Sequence, residues 1–269
     1  MSAMSPYLTS LLATLGGVAL AVLLGRFLGP GRRGRATTAE SDGQALSLIG
    51  AVLLSSFILL TGFQVAGSWS ALSTARSGTY QEARALADTY WAAGGLAPPD
   101  RVRVRALLRV YTGDVRGAEF ADLARGVTSP VAWDDLDRVR SAVGAADASG
   151  APRQAARTAA QSALAVVYQA RTDRAALATA RMPRITWLAM LVAGGFLIAF
   201  PVLLGLSPAR RHLVALCFVG AAVAFAVCLT AQLDNAFRRP LGVRSTAFGL
   251  AETRFQQMDA ESAGPGSRP

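Results

Sequence analysis

Apolar positions in this chain gather into four long runs, at 7–28, 46–69, 185–206 and 213–233, each almost free of charged side chains. A helix needs roughly 20 apolar residues to cross a hydrocarbon layer of about 30 Å, and each run meets that length. The runs fall into two pairs, with the mixed, polar segment 70–184 between them. There the apolar residues recur at helical spacing. The expected fold class is all-α: four transmembrane helices in two pairs, with a helical-bundle insert continuous with spans two and three. The implied organisation is a first membrane pair in 1–69, the insert in 70–184, a second pair in 185–233 and a C-terminal tail in 234–269.

Inside the insert the pattern can be followed element by element. Span two shows no break at its polar end, because Leu72, Ala75, Tyr80, Ala83, Ala87 and Tyr90 continue a helical stripe. Gly94-Gly95 stops it and Pro98-Pro99 forbids continuation. Asp100 is then expected to cap a helix with Val104, Leu107, Leu108, Tyr111 and Val115 on one face. Phe120, Leu123 and Val127 suggest a short piece, Pro130 an interruption, and Asp134 or Asp135 the opening of another helix bearing Leu136, Val139 and Val143. From Pro152 a helix of roughly 30 residues heads for span three, with Ala156, Ala160, Ala163, Val167, Ala170 and Arg174 on one stripe. Small residues in a stripe allow close helix contact, and Pro183 is a candidate bend. Gly29 to Gly43 reads as a flexible arginine-rich turn. The tail loses periodicity after about 251 and is expected to be disordered.

Composition narrows the picture. Charged residues make up 16% of the chain, against about 25% in a soluble domain, which fits lipid exposure. All 27 basic residues are arginine, a usage that points to a GC-rich genome rather than to chemistry. They are scattered over nearly every turn instead of forming a basic stripe, which argues against a nucleic-acid partner. Loop arginines Arg26, Arg32, Arg33, Arg35, Arg210 and Arg211 oppose Arg181, Arg184, Arg238 and Arg239 on the other side. That near balance leaves membrane orientation open. The leader before span one carries no basic side chain, and no small-residue cleavage site follows the run, so it reads as a membrane span rather than a signal peptide.

Candidate chemistry is sparse. Cys217 and Cys228 share one run, about 16 Å apart along a helix, too far to bridge. His212, the one histidine, has no acid or thiol beside it and reads as an interfacial anchor. Asp134, Asp135 and Asp137 lack the spacing and glycine of a calcium loop and are expected to serve a helix start. Asp234 closes span four, with Arg238 as a potential partner. No nucleophile–base pair, phosphate loop or metal set appears, so no catalytic, cofactor or metal residue is assigned and an enzyme is not expected. Span two offers the one candidate site. Phe57, Leu60, Thr61 and Gln64 share a face at i, i+3, i+4 and i+7. Apolar rings followed by an amide can line a constriction that gates by dewetting. The same residues also suit lipid contact, with Gln64 bonded to a neighbouring helix.

Several short motifs carry a resemblance. Ser56-Phe57-Ile58-Leu59, Gly62-Phe63-Gln64 and Ala75-Arg76 are similar to the second transmembrane helix of bestrophins. The segments Glu82-Ala83 through Tyr90, Arg105 through Tyr111, and Leu233-Asp234-Asn235-Ala236-Phe237 resemble those of the bacterial bestrophin-like domain family. Ala236 stands where that family has proline, which bears on how the tail docks. The resemblance implies a homo-oligomer, a pentamer in bestrophins, resident in the lipid bilayer and conducting inorganic ions, with span two lining the pore and the insert cytoplasmic. The animal proteins' acidic calcium clasp has no counterpart after span four. The alternative is a non-conducting membrane adaptor or sensor that uses the insert as a binding surface.

Overall fold

The structure is a computed structural model that describes residues 39–203, 210–238 and 241–262. Span one and its arginine loop up to residue 38 lie outside the described residues, as does the end of the tail. The described residues form eight α-helices joined by turns: α1 (Ala39–Ala92), α2 (Pro98–Asp114), α3 (Phe120–Leu123), α4 (Pro130–Ala145), α5 (Ala151–Thr179), α6 (Arg184–Leu203), α7 (Arg210–Leu233) and α8 (Thr246–Ser262). A π-helical turn, Val115–Glu119, joins α2 to α3. Among the described residues, two stretches are long and apolar enough to cross a membrane, Ser47–Gly95 and Val214–Leu233. A third counts if Ala151–Thr179 and Arg184–Phe200 are taken as one broken span.

The chain divides into two compact units, one of Met1–Trp69 with Arg181–Asp234, the other of Ser70–Ala180 with Asn235–Pro269. In the first, Phe57, Met190, Leu197, Ile198, Leu216 and Val223 form a buried cluster. Gly194 permits this approach: a Cβ there would stand 2.7 Å from Val223 Cγ1 and 3.5 Å from Phe57. In the second, the core draws on Leu86 and Tyr90 of α1, Val104, Leu108 and Tyr111 of α2, Leu136 and Val139 of α4, Leu164 and Val167 of α5, and Phe248 and Phe255 of α8.

Local chemistry explains the boundaries. No proline occurs between Pro30 and Pro98, and α1 runs 54 residues until Ala93–Gly95 closes it as a 3-10 turn. It begins at Ala39, so residues 39–43 belong to the helix rather than to the expected turn. Proline stands in the first turn of α2, α4 and α5, where its missing N–H has no intrahelical role. That corrects the reading of Pro130: it opens α4 instead of interrupting it. Asp134, Asp135 and Asp137 therefore lie inside the helix and do not cap it. Nor does Asp100 cap α2, since Ala97 holds that position; Asp100 accepts the Asp147 backbone N–H at 2.9 Å. Gly150 precedes α5 at φ 89°, a conformation that favours glycine.

The tail is the largest correction. Residues 252–262, expected to be disordered, form the C-terminal part of α8, which buries Phe248, Ala251, Phe255 and Met258. The turn leading to it is held by Asn235. Its Nδ2 donates to the carbonyls of Leu123 and Ala124 at 3.3 and 3.4 Å, and its Oδ1 accepts the Phe237 N–H at 2.8 Å. Phe237 is buried and meets Phe120 edge to face. The turn thus docks with Ala236 in the place of proline.

Candidate functional site

Helical periodicity puts Phe57, Leu60, Thr61 and Gln64 on one face of α1, and the structure places that face against α6 and α7 within the same unit. Phe57 is 6% exposed and sits in the membrane-unit cluster, with Leu60 packed beside it. Gln64 Nε2 lies 3.4 Å from Met182 Sδ, and the Thr61 hydroxyl is buried. Phe57 is therefore buried within this chain, and Leu60, Thr61 and Gln64 are half-buried. The other side of the helix presents Val52 (56% exposed), Leu59 (61%) and Phe63 (69%), with Ser56 and Ala66 in register. The Asp234 carboxylate accepts the Met182 backbone N–H at 2.9 Å. His212 lies in the first turn of α7, and Cys228 is buried.

The remaining motif residues converge inside the helical unit on two polar centres. Glu82, from α1, is fully buried. Its Oε2 accepts Arg174 Nε at 2.8 Å, and its Oε1 accepts Arg174 Nη2 at 3.0 Å and the Tyr111 hydroxyl at 2.5 Å. Arg171 Nη1 donates to Glu119 at 2.8 Å and to the Tyr111 hydroxyl at 3.1 Å. Two arginines thus face two glutamates, which is the condition under which buried charge is tolerated. Aromatic faces complete the enclosure: Arg171 lies over Trp133 at 4.6 Å, and Arg174 over Phe248 at 5.3 Å. Burial, reinforced by the Glu82 carboxylate, raises Tyr111 well above the usual phenol value, so it stays a neutral donor. Burial alone would lower Arg174; Glu82 and Glu119 outweigh it and hold the guanidinium charged.

The second centre pins α8. The Tyr90 ring stacks on Phe255 at 4.2 Å. Its hydroxyl donates to the Asp259 carboxylate, which also accepts Arg105 Nη1 at 2.9 Å and Arg109. Arg116 and Glu252 form a further ion pair between the π turn and α8. Glu82, Tyr90, Arg105, Arg109 and Tyr111 are thus scaffold residues of the insert, a role that the sequence left unassigned. Their partners Glu119, Arg171 and Asp259 gave no signal at all. Among the described residues no group of three or more His, Cys, Asp or Glu could hold a metal ion.

The fold has known relatives. The family model described as the Bestrophin-like domain matches residues 12–248. Among solved structures, a single-substitution variant of a bacterial bestrophin homolog from Klebsiella pneumoniae is similar at 14% identity and TM-score 0.67. That match covers 91% of this chain and 98% of that one. Another variant of the Klebsiella pneumoniae homolog matches at 15% identity and TM-score 0.62, covering 92% and 99%. A structure described only as a membrane protein, also a variant, matches at 14% and TM-score 0.67, covering 93% and 98%. No curated protein matches. With most of its length inside the family model, this chain belongs to the Bestrophin-like domain family.

Proposed function

We propose that this chain is a four-span membrane protein that assembles with further copies of itself into an ion channel. In this reading α1 faces the conduit and the helical insert lies on the cytoplasmic side. The observation that carries it is the exposed apolar strip of α1, Val52, Ser56, Leu59, Phe63 and Ala66, on a helix whose opposite face is already packed. An uncovered strip of this kind on a spanning helix meets lipid, another subunit or a pore. Family membership supports the pore, since bestrophins are channels rather than enzymes, and the resemblance suggests five subunits. The strip also departs from the four residues first favoured, Phe57, Leu60, Thr61 and Gln64. Those support the strip from behind. A constriction at Leu59 and Phe63 would exclude water until widened.

Flux of chloride and of sodium into proteoliposomes holding the purified protein tests this. Phe63→Ala raises flux if the exposed face lines the conduit, whereas Phe57→Ala lowers thermal stability and leaves selectivity unchanged. Equal flux from Phe63→Ala and an active wild type, with altered selectivity in Phe57→Ala, would return the pore to the packed face. A second reading, a non-conducting adaptor, is favoured by apolar side chains exposed on the helical unit, Trp91 at 62% and Val102 at 68%. Absence of flux from folded oligomers in the vesicles would put that reading first.

A further inference from the structure

Helices α4 and α5 bury their apolar faces in the core of the helical unit but leave a groove of about 490 Å³ between their outer sides. Its floor is apolar: Leu164, 3% exposed, with Ala165 and the ring of half-buried Tyr168. Gly144 of α4 adds no side chain to the wall, and a Cβ there would meet nothing within 4 Å. Polar groups stand at the rim and come from both helices, Arg140 from α4 and Gln161, Gln169 and Thr172 from α5. Sites for small molecules have this build: a few hundred Å³, an apolar surface and a few polar groups that fix orientation.

Charge at the rim is one-sided. Other arginines of α4 and α5 are paired: Arg138 with Asp135, Arg153 with Asp147, and Arg171 with Glu119. Arg140 forms no ion pair among the described residues. Its guanidinium lies over the Tyr168 ring, 5.0 Å from the centroid. Stacking uses the face of the planar cation and leaves its N–H edge, the part that grips a carboxylate through two parallel bonds. The other rim groups are engaged along the helices. Tyr168 donates its hydroxyl to Asp137, Thr172 Oγ1 donates to the Tyr168 carbonyl at 2.9 Å, and Gln169 Nε2 donates to Asp173 at 3.0 Å.

We propose that this groove binds a small, singly charged organic acid. Its carboxylate sits on the edge of Arg140, and its apolar body covers Leu164, Ala165 and the Tyr168 ring. The single charge follows from the surroundings. One unpaired cation faces the groove, while the Asp137 carboxylate beside Tyr168 repels further negative charge, which disfavours a phosphate dianion. A bare inorganic anion gains nothing from the apolar floor. The bound acid ties α4 to α5, the helix that carries Arg171 and Arg174 into the buried network. The site does not depend on whether the chain conducts ions.

Ligand-observed NMR titration of the full-length protein in lipid nanodiscs, with empty nanodiscs subtracted, tests the site. Benzoate and isovalerate are the probes, and saturable binding in the millimolar range is expected for ligands of so few atoms. Benzamide, the uncharged counterpart of benzoate, should bind about tenfold more weakly, because a charged hydrogen-bonded contact is lost. Arg140→Gln should weaken benzoate by a similar factor, Arg140→Lys by less, and Ala165→Trp, which fills the floor from an exposed position, should abolish binding. Arg103→Gln, at an exposed arginine of α2, should leave it unchanged. Thermal unfolding checks that each variant is folded. Binding that persists undiminished in both Arg140→Gln and Ala165→Trp, or that benzamide equals, overturns the proposal. Displacement of benzoate by an equal concentration of chloride overturns it in favour of an inorganic-anion site, and so does the absence of saturable binding by either acid.

Discussion

Replacing Glu82 by glutamine tests the central claim about the helical unit. The substitution keeps the shape and removes the charge. Both oxygens of Glu82 are occupied, by Arg174 twice and by Tyr111 once, so the new amide group must point its N–H atoms at donors. Arg174, 1% exposed, then keeps only Glu119, at 3.7 Å. Removing one partner of a buried pair costs about 3–5 kcal/mol, and the remaining glutamate puts Glu82→Gln at the lower end, about 3 kcal/mol. For a unit of this size each kcal/mol lowers Tm by about 2–4 °C. Thermal unfolding of the purified protein in detergent, followed by far-ultraviolet circular dichroism, should therefore show a drop of about 6–12 °C. The double variant Glu82→Gln with Arg174→Met should lose less than the sum of the single losses, because no charge is stranded. A loss under about 1 kcal/mol, as for an exposed ion pair, or strict additivity, would refute the reasoning.

Phe255→Ala should remove the stacking partner of Tyr90 and cost about 3–5 kcal/mol; the measurable result is faster proteolysis within α8 while the rest of the chain stays resistant. Gly242→Ala should lower Tm, since a Cβ there would lie 2.5 Å from the Phe237 carbonyl carbon and 2.6 Å from the Arg238 oxygen, and overpacking of this kind costs about 1–3 kcal/mol. An unchanged Tm would mean that the turn relaxes freely. Phe63→Ala should raise ion flux and Phe57→Ala should not, as measured in proteoliposomes.

Much of the helical framework was legible because it depends on neighbours in sequence. The stripe Val104, Leu108, Tyr111 and Val115 is buried as its spacing implied, and the stop at Gly94-Gly95 and the start near Pro152 lie within a residue or two of the observed ends. Where the reading failed, the local signal had two meanings. Pro130 and Pro152 are alike in sequence, yet one was read as a break and the other as a start; both open helices. Helix α8 carried its own pattern, Phe248, Ala251, Phe255 and Met258 at i, i+3, i+7 and i+10, which the polar, glycine-rich ending of the chain obscured. Tyr80 was placed on the stripe and is 43% exposed, because the buried position on that turn falls to its neighbour Thr79, 1% exposed.

The candidate site divides in the same way. Periodicity puts Phe57, Leu60, Thr61 and Gln64 on one face, but it cannot say whether the space in front of a face holds water, lipid or another helix. That depends on Gly194 and Met182, more than a hundred residues later, which bring α6 close to this face. The long apolar runs and their helical spacing, read from the sequence alone, determined the membrane character and the all-helical class, since hydropathy and backbone period are local properties. Only the tertiary structure decided which charges neutralise one another. Glu82 meets Arg174 across 92 residues and Tyr90 meets Asp259 across 169. A buried charge is held by whichever partner the packing delivers, and no local pattern encodes that partner.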